Sequence, residues 1–500
     1  MAELFERQIS GRTKIKTNLN LVGEPTGDLS TIKKILSNVL PIQDANAKEM
    51  DRLFNVYFND ESSWTKIKSQ RSDINNTITV PNAWAITRTL TGYCFGQPIK
   101  YLSRKSDPQK QGLVETFSSW LDYRANHDAT VMAGTTASIC GLGYKLALYE
   151  EDEVSFKINN EVIYPQNAFI VYSNSAIPEK LMAVYISDYY NEEGKTSGKS
   201  YSVWTKWHKF MLIKEGSGFK ALPMMFNGKP TFAYPRSTDK KQRKLPLVEV
   251  ENNAFRKGDW EVAIDLLKLK NALVSNRADD IQQVVDYILV LMNCKFETED
   301  ERTDAIQSRI LELDVKDPQN KPSIEILKNA LDQNGVQIYA DYIDLLIQEC
   351  VGIPNRQERA GGGGDTGKAV LHRNGFRDLE NNAGIKIPKM DKAELEFLDV
   401  CLEYCSIYGN DLKDLKAYDV RNKFLPSLND DIVSSSQAYW NFRKGGMEDT
   451  QALIASKSVT DASETAKNNK DAYNRQELLF QQTEMAKKLV PNNGEEPLLT

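Results

Sequence analysis

The residues whose types and spacing come nearest to chemistry lie in a glycine-rich run. Gly362–Lys368 reads G-G-G-D-T-G-K, which satisfies the G-x-x-x-x-G-K core of a phosphate-binding loop, where backbone N–H groups cradle phosphates and the lysine reaches the outermost one. Position 369 is Ala, so the hydroxyl that would hold Mg²⁺ is missing. The run follows Leu345–Glu358, which reads as a helix and its exit rather than a strand, and no apolar strand ending in Asp follows downstream. A nucleotide hydrolase using Lys368 is therefore the weaker reading. The stronger one is a flexible loop, because consecutive glycines carry a high entropic cost of ordering. Its flanking cations Arg356, Arg359 and Lys368 could touch phosphates in passing.

No second catalytic constellation presents itself. The three histidines, His127, His208 and His372, are far apart, which argues against a His-based triad or a zinc site. Of the six cysteines (Cys94, Cys140, Cys294, Cys350, Cys401 and Cys405), only the last two are close; all six read as reduced thiols, mostly packed as small hydrophobes. The expectation is a non-enzymatic protein with no metal and no cofactor.

Apolar residues make up 41 % and charged residues 26 % of 500 positions, enough chain for two to four compact domains. No apolar run reaches the length of a membrane span, and MAELFERQISGR has no secretory apolar region, so assembly in the cytoplasm is expected. The net charge of −6 gives no overall basic face. Residues 258–350, however, hold 19 acidic and 9 basic side chains, a local net of −10 that leaves the rest at +4.

The elements that would position these groups follow from patterning. Residues 1–30 are polar and punctuated by Gly23 to Gly27, and read as a flexible arm. Residues 31 to 140 are mostly helical, with one helix over Ala83–Tyr93 after Pro81-Asn82. From Tyr144 to Tyr234, Val/Ile/Tyr/Phe/Trp runs broken by turn residues predict antiparallel strands, among them Phe169–Tyr172, Leu181–Ile186 and a single run Ser202–Ile213. A basic linker, Arg236 to Lys244, reads as a solvated loop or a contact for nucleic acid or another acidic surface. Gly258–Asp286 predicts a long helix. Strands are then expected at Tyr287–Met292, Arg309–Asp314 and Ser323–Leu327, with a short helix at Glu299–Ser308, and a second long helix over Ala330–Cys350. A helix over 369–408, interrupted at Gly384 and Pro388, a strand at Asp419–Leu425 and shorter helices over 430–443, 447–456 and 461–482 complete the pattern, before a disordered tail.

The second long helix has an unusual cross-section. Val336, Tyr339, Ile343, Leu346 and Cys350 form one apolar stripe, and Ile338, Tyr342 and Leu345 a second. The remaining narrow face carries Gln337, Asp341, Asp344 and Gln348. Two apolar stripes require two neighbours; the first long helix can be one and a second copy of the chain the other. In a ring of copies the polar stripes would line a channel whose Asp rings repel phosphate. The alternative is a helix pair within one monomer with the Asp face simply solvated.

Several stretches in order resemble the portal proteins of tailed bacteriophages, in particular long-tailed phages of Gram-positive bacteria. They are Asn75–Tyr101, with its Gly-x-Pro-Ile-x-Tyr turn, Ala137–Tyr149, Pro165–Tyr172, and Pro246–Leu291 with Pro246, Glu249, Asn252-Asn253, Asp259 and Asn276 to Asp280. The resemblance covers roughly residues 30–480 and implies an α+β portal fold. Its parts would be an α/β wing over 31–257, a stem of helices 258–286 and 330–355, a small α/β clip over 287–329, a tunnel loop over 356–368, a long kinked helix over 369–408, a return to the wing over 409–445, crown helices over 446–482 and a disordered tail over 483–500. It also implies a homo-oligomeric ring of about twelve subunits at one vertex of the virion capsid, conducting double-stranded DNA during packaging and ejection. Partners would be the terminase packaging motor, the head–tail connector, and capsid and scaffolding proteins. Glu299, Glu301 and Arg302 would lie at the motor and connector docking surface.

Overall fold

The computed structural model describes residues 11–19, 29–60, 64, 74–104, 107–150, 155–190, 194–216, 218–236, 243–285, 288–292, 298, 300, 303, 323–327, 333–354, 376–408, 411–426, 432–456, 465–466 and 469–470. In chain order these form β1 (Lys16–Thr17), α1 (Leu29–Tyr57), α2 (Asn82–Phe95), β2 (Lys100–Ser103), α3 (Pro108–Tyr123), α4 (Asn126–Cys140), β3 (Leu142–Glu150), β4 (Ser155–Ile158), β5 (Ala168–Ser173), β6 (Lys180–Tyr190), β7 (Thr196–Thr205), β8 (His208–Glu215), β9 (Gly218–Leu222), β10 (Met224–Phe226), β11 (Lys229–Thr231), β12 (Tyr234–Pro235) and β13 (Leu247–Glu251). They continue as α5 (Ile264–Val285), β14 (Ile288–Met292), β15 (Ser323–Leu327), α6 (Gln333–Val351), α7 (Phe376–Tyr408), β16 (Val420–Lys423), α8 (Ile432–Lys444) and α9 (Asp449–Ser456). The chain is mixed helix and sheet. It divides into two compact units, Met1–Ala360 with Asn374–Pro426, and Gly361–Arg373 with Ser427–Thr500. Among the described residues the second unit holds α8 and α9, where Tyr439 donates to Asp449 Oδ1 at 2.5 Å.

The first unit is organised by a sheet in the order β1-β5-β6-β7-β8-β12, with β9 on β8; β1 runs parallel to β5 and the other pairs are antiparallel. Successive side chains of a strand point to opposite faces, and both faces here are covered. Phe169, Val171, Met182, Val184, Val203 and Phe210 pack against Ile32, Ile35, Leu36, Val39 and Leu40 of α1. Ala168, Ile170, Tyr172, Ala183 and Trp204 pack on the other side with Tyr144, Leu146 and Leu247, from β3 and β13. That two-sided burial explains why these strands read as nearly continuous apolar runs. The run Ser202–Ile213 is two strands, not one. Thr205 Oγ1 accepts from the backbone N–H groups of Trp207 and His208 at 3.3 and 2.9 Å, closing the turn between β7 and β8.

Other expectations shift for identifiable reasons. Residues 11–17, read as part of a loose arm, are anchored: Gly11 N donates to Phe255 O and Arg12 N to Arg256 O, Arg12 Nη1 donates to Cys140 O at 3.1 Å, and β1 joins the sheet. The helix expected from Gly258 begins regularly at Ile264, after a 3-10 turn Glu261–Ala263. Before it, Asp259 is held in a buried node where Ser138, Asn252 and Lys386 all donate to its carboxylate. Trp260, fully buried, donates to Thr87 Oγ1 at 3.0 Å. In α7 the helix runs continuously through Gly384 and Pro388. Lys386 is tied to Asp259 on one side of the proline, and Glu394 to Lys145 at 2.6 Å on the other. The proline removes one helix hydrogen bond, and these two anchors flank it.

The Lys145–Glu394 pair is completely buried. Lys145 Nζ also donates to Asn126 Oδ1 at 2.8 Å and Thr130 Oγ1 at 2.9 Å, and lies 4.1 Å from the centre of the Phe397 ring. Glu394 Oε1 accepts from Tyr101 and Asn126, each at 2.8 Å. One hydrogen-bonded cluster thus joins β2, α4, β3 and α7. Burial pushes the Lys145 ammonium below the usual lysine range, against the opposing pull of Glu394.

Candidate functional site

The two long helices α5 and α6 lie against each other in antiparallel sense. Lys270 pairs with Asp344, and Arg277 Nη1 donates to Gln337 Oε1 at 2.8 Å, so positions seven apart on one helix meet positions seven apart on the other. Gln337 Nε2 in turn donates to Asp341 Oδ1, one turn along, at 2.8 Å. Gln348, half-buried, lies further along the same face.

The apolar faces of α6 divide unequally. Ile343, Ile347 and Val351 form the buried seam, with Val336 and Leu346 half-buried beside it, while Tyr339 and Cys350 of the expected first stripe are exposed. Ile347, assigned to no stripe from the sequence, is thus a seam residue. The second stripe is open in the chain: Ile338 is 70 %, Tyr342 54 % and Leu345 36 % exposed. At 3.6 residues per turn, the circuit around α6 passes from the seam to the arc of Gln337, Asp341, Asp344 and Gln348, and then to the arc of Leu345, Ile338 and Tyr342. The polar arc lies between an intramolecular neighbour and an apolar face that is exposed among the described residues. The far end of α6 is tied to α7, where Asn382 Nδ2 donates to Val351 O at 2.9 Å and Gly352 O at 3.2 Å.

Sequence reasoning missed Lys270 and Arg277. Their spacing puts them on one face of α5, but nothing in α5 alone says which helix that face meets. The remaining expected site residues, Arg356, Arg359 and Lys368 of the glycine-rich loop and Glu299, Glu301 and Arg302 beyond β14, lie outside the described residues, as do the expected strand Arg309–Asp314 and His372. Strands β14 and β15 do pair, antiparallel, Ile288 with Leu327 through Met292 with Ser323.

The described residues hold no cluster of His, Cys, Asp or Glu suited to a metal ion, and no helix among them is long and apolar enough to cross a membrane. The described cysteines are free thiols, four buried and Cys350 exposed. Burial pushes Cys94 up to about 11 and Cys140 up to about 12, so these sulfurs stay protonated. The helix pair offers a polar strip with paired charges beside an exposed apolar face.

No curated protein matches the chain. A family model described as phage portal protein, SPP1 Gp6-like, matches residues 36–488. That span takes in both long helices, every strand of the sheet but β1 and the α7 anchors, and the chain belongs to this family of phage portal proteins.

Proposed function

We propose that this portal protein assembles through α5 and α6 into a ring of about twelve subunits whose central channel conducts double-stranded DNA during packaging and ejection. The observation that carries the reading is the open apolar arc of Ile338, Tyr342 and Leu345 beside a polar arc on the same helix. If a neighbouring copy covers the apolar arc, the polar arc of Gln337, Asp341, Asp344 and Gln348 is left facing the lumen. In this reading α5 and α6 are the stem, residues 31–257 the wing, 287–329 the clip and α7 the helix that carries load from the tunnel loop into the wing. The ring would sit at a capsid vertex and dock the terminase motor, which supplies the energy, and then the head–tail connector, through a clip surface including Glu299, Glu301 and Arg302. Arg356, Arg359 and Lys368 would meet phosphates at the tunnel loop.

The pairing of Lys270 with Asp344 refines the electrostatics. A purely acidic wall would repel DNA throughout; a strongly basic one would hold it through counterion release. A stripe whose carboxylates are partly offset by cations from α5 does neither strongly, which suits sliding. The test is Asp341→Lys/Asp344→Lys in assembled particles. Added phosphate contacts should make DNA retention tighter and steeply salt-dependent, by a slope of about −0.9 per contact on a double-logarithmic plot, and should slow ejection. Ejection rates and salt dependence unchanged from the parent would remove the stripe from the lumen.

A further inference from the structure

Residues 74–80 run extended between α1 and α2 and belong to no sheet. Their backbone nonetheless has partners at strand spacing, all from one face of α5. Asn76 N donates to Asp279 Oδ1 at 2.7 Å, Ile78 N to Ser275 Oγ at 2.9 Å and Val80 N to Asn271 Oδ1 at 3.0 Å. The step is two residues on the strap and four on the helix. Two residues of extended chain advance about 6.6 Å and four of helix about 6.0 Å, so three rungs stay in register. On the strap's other edge, Asn59, at φ 63° just beyond α1, donates to Thr79 O at 3.2 Å and Thr79 Oγ1 at 2.6 Å. A helix has taken the place of a neighbouring strand. Asn271, Ser275 and Asp279 are 5 %, 3 % and 0 % exposed, and polar groups so buried are tolerated because they are hydrogen-bonded.

Lys270 and Arg277 project from the opposite flank of α5, about 150° round from the rungs at 100° per residue. Turning α5 by about 30° would carry groups at its side-chain radius through about 3 Å, enough to part Arg277 from Gln337. We infer that the Asn76–Val80 strap is a rotational lock on α5, and that Asn271, Ser275 and Asp279 are positioning residues that hold Lys270 and Arg277 against the polar stripe of α6. Its consequence for DNA rests on the proposed channel: with the lock closed Asp344 keeps its counter-charge, and with it open the lumen becomes more anionic.

The test is read within one chain, so it stands or falls independently of the channel. In the full-length protein with Cys294→Ser and Cys350→Ser, thiols are placed at Arg277→Cys and Gln337→Cys and bridged with a short bismaleimide, the intrachain product being measured by peptide mass spectrometry. Asn271→Ala/Ser275→Ala should speed hydrogen exchange at the amides of 78 and 80 and cut the bridging rate about fivefold or more, the acceptors of both amides and the Ser275 donor to Ile78 O being lost. Ser275→Ala alone should give an intermediate loss, and Ser275→Thr, which keeps the hydroxyl, should restore the rate; this graded series separates lock release from misfolding. Faster strap exchange with an unchanged bridging rate would overturn the lock. Unchanged strap exchange would show that these side chains do not hold the strap.

Discussion

Replacing Glu394 by Ala should destabilise the first unit far more than removing the whole Lys145–Glu394 pair. In the single variant the Lys145 ammonium, with 0 % of its side chain exposed, stays buried with only the neutral acceptors of Asn126 and Thr130. Tyr101 also loses its carboxylate acceptor. Breaking a buried pair in this way costs about 3–5 kcal/mol, because the remaining charge is uncompensated. Lys145→Met/Glu394→Leu removes both charges and places apolar atoms beside Phe397, so its cost should fall to about 1–2 kcal/mol, mainly for the hydrogen bonds lost by Asn126, Thr130 and Tyr101. The assay is native-state hydrogen exchange of the α4 and β3 amides, which reports the opening free energy of that region directly. The sign with pH is also fixed. In Glu394→Gln the lysine is buried without its counter-charge, so its folded-state pKa lies below its unfolded value, and the unfolded chain holds more protons between the two. Stability should therefore rise with pH through that window toward 10.5. A Glu394→Ala cost no larger than that of the double variant would refute the argument.

Two further outcomes follow. Ile338→Asp should leave the chain folded, because the side chain is 70 % exposed, but should abolish or weaken ring assembly in sedimentation velocity. Burying the remaining exposed area of an isoleucine is worth about 1–2 kcal/mol per contact, the carboxylate adds a desolvation cost, and the loss recurs at every interface. Gly141→Ala should destabilise by more than about 2 kcal/mol in thermal unfolding: Gly141 has φ +87° and an added Cβ would lie 2.1 Å from Arg256 O, itself on a left-handed turn at φ 57°.

What could be read from the sequence depended on whether a pattern was local. The apolar, β-branched and aromatic runs at 168–173 and 180–186 are contained within each strand, so the antiparallel region is visible without knowing its neighbours. The narrow polar stripe of α6 is equally local, and the open second apolar stripe follows from the same periodicity. Pairings between distant segments are another matter. Lys145 occupies one position of an apolar strand, and its partner lies 249 residues later; its type alone marks it as a buried charge in need of a counter-charge. The strap was hard to see for a physical reason: its three rungs are backbone amides, and the few side-chain bonds it makes, from Asn76 and to Thr79, have no spacing that marks a partner helix. Only the buried polar trio at 271, 275 and 279 on α5 hints that something polar must cover that face. The anchoring of residues 11–17 was missed likewise, because its partners, the turn at 255–256, Cys140 and β5, are all distant in sequence.

Negative-stain electron microscopy of the purified protein, with the Ile338→Asp variant alongside, shows directly whether α6 closes a ring. Rings with a central hole, of about a dozen subunits, are expected for the parent chain and dispersed particles for the variant. Parent protein that remains monomeric in the presence of capsid and scaffolding proteins, or rings that form equally well with Ile338→Asp, would contradict ring closure through α6.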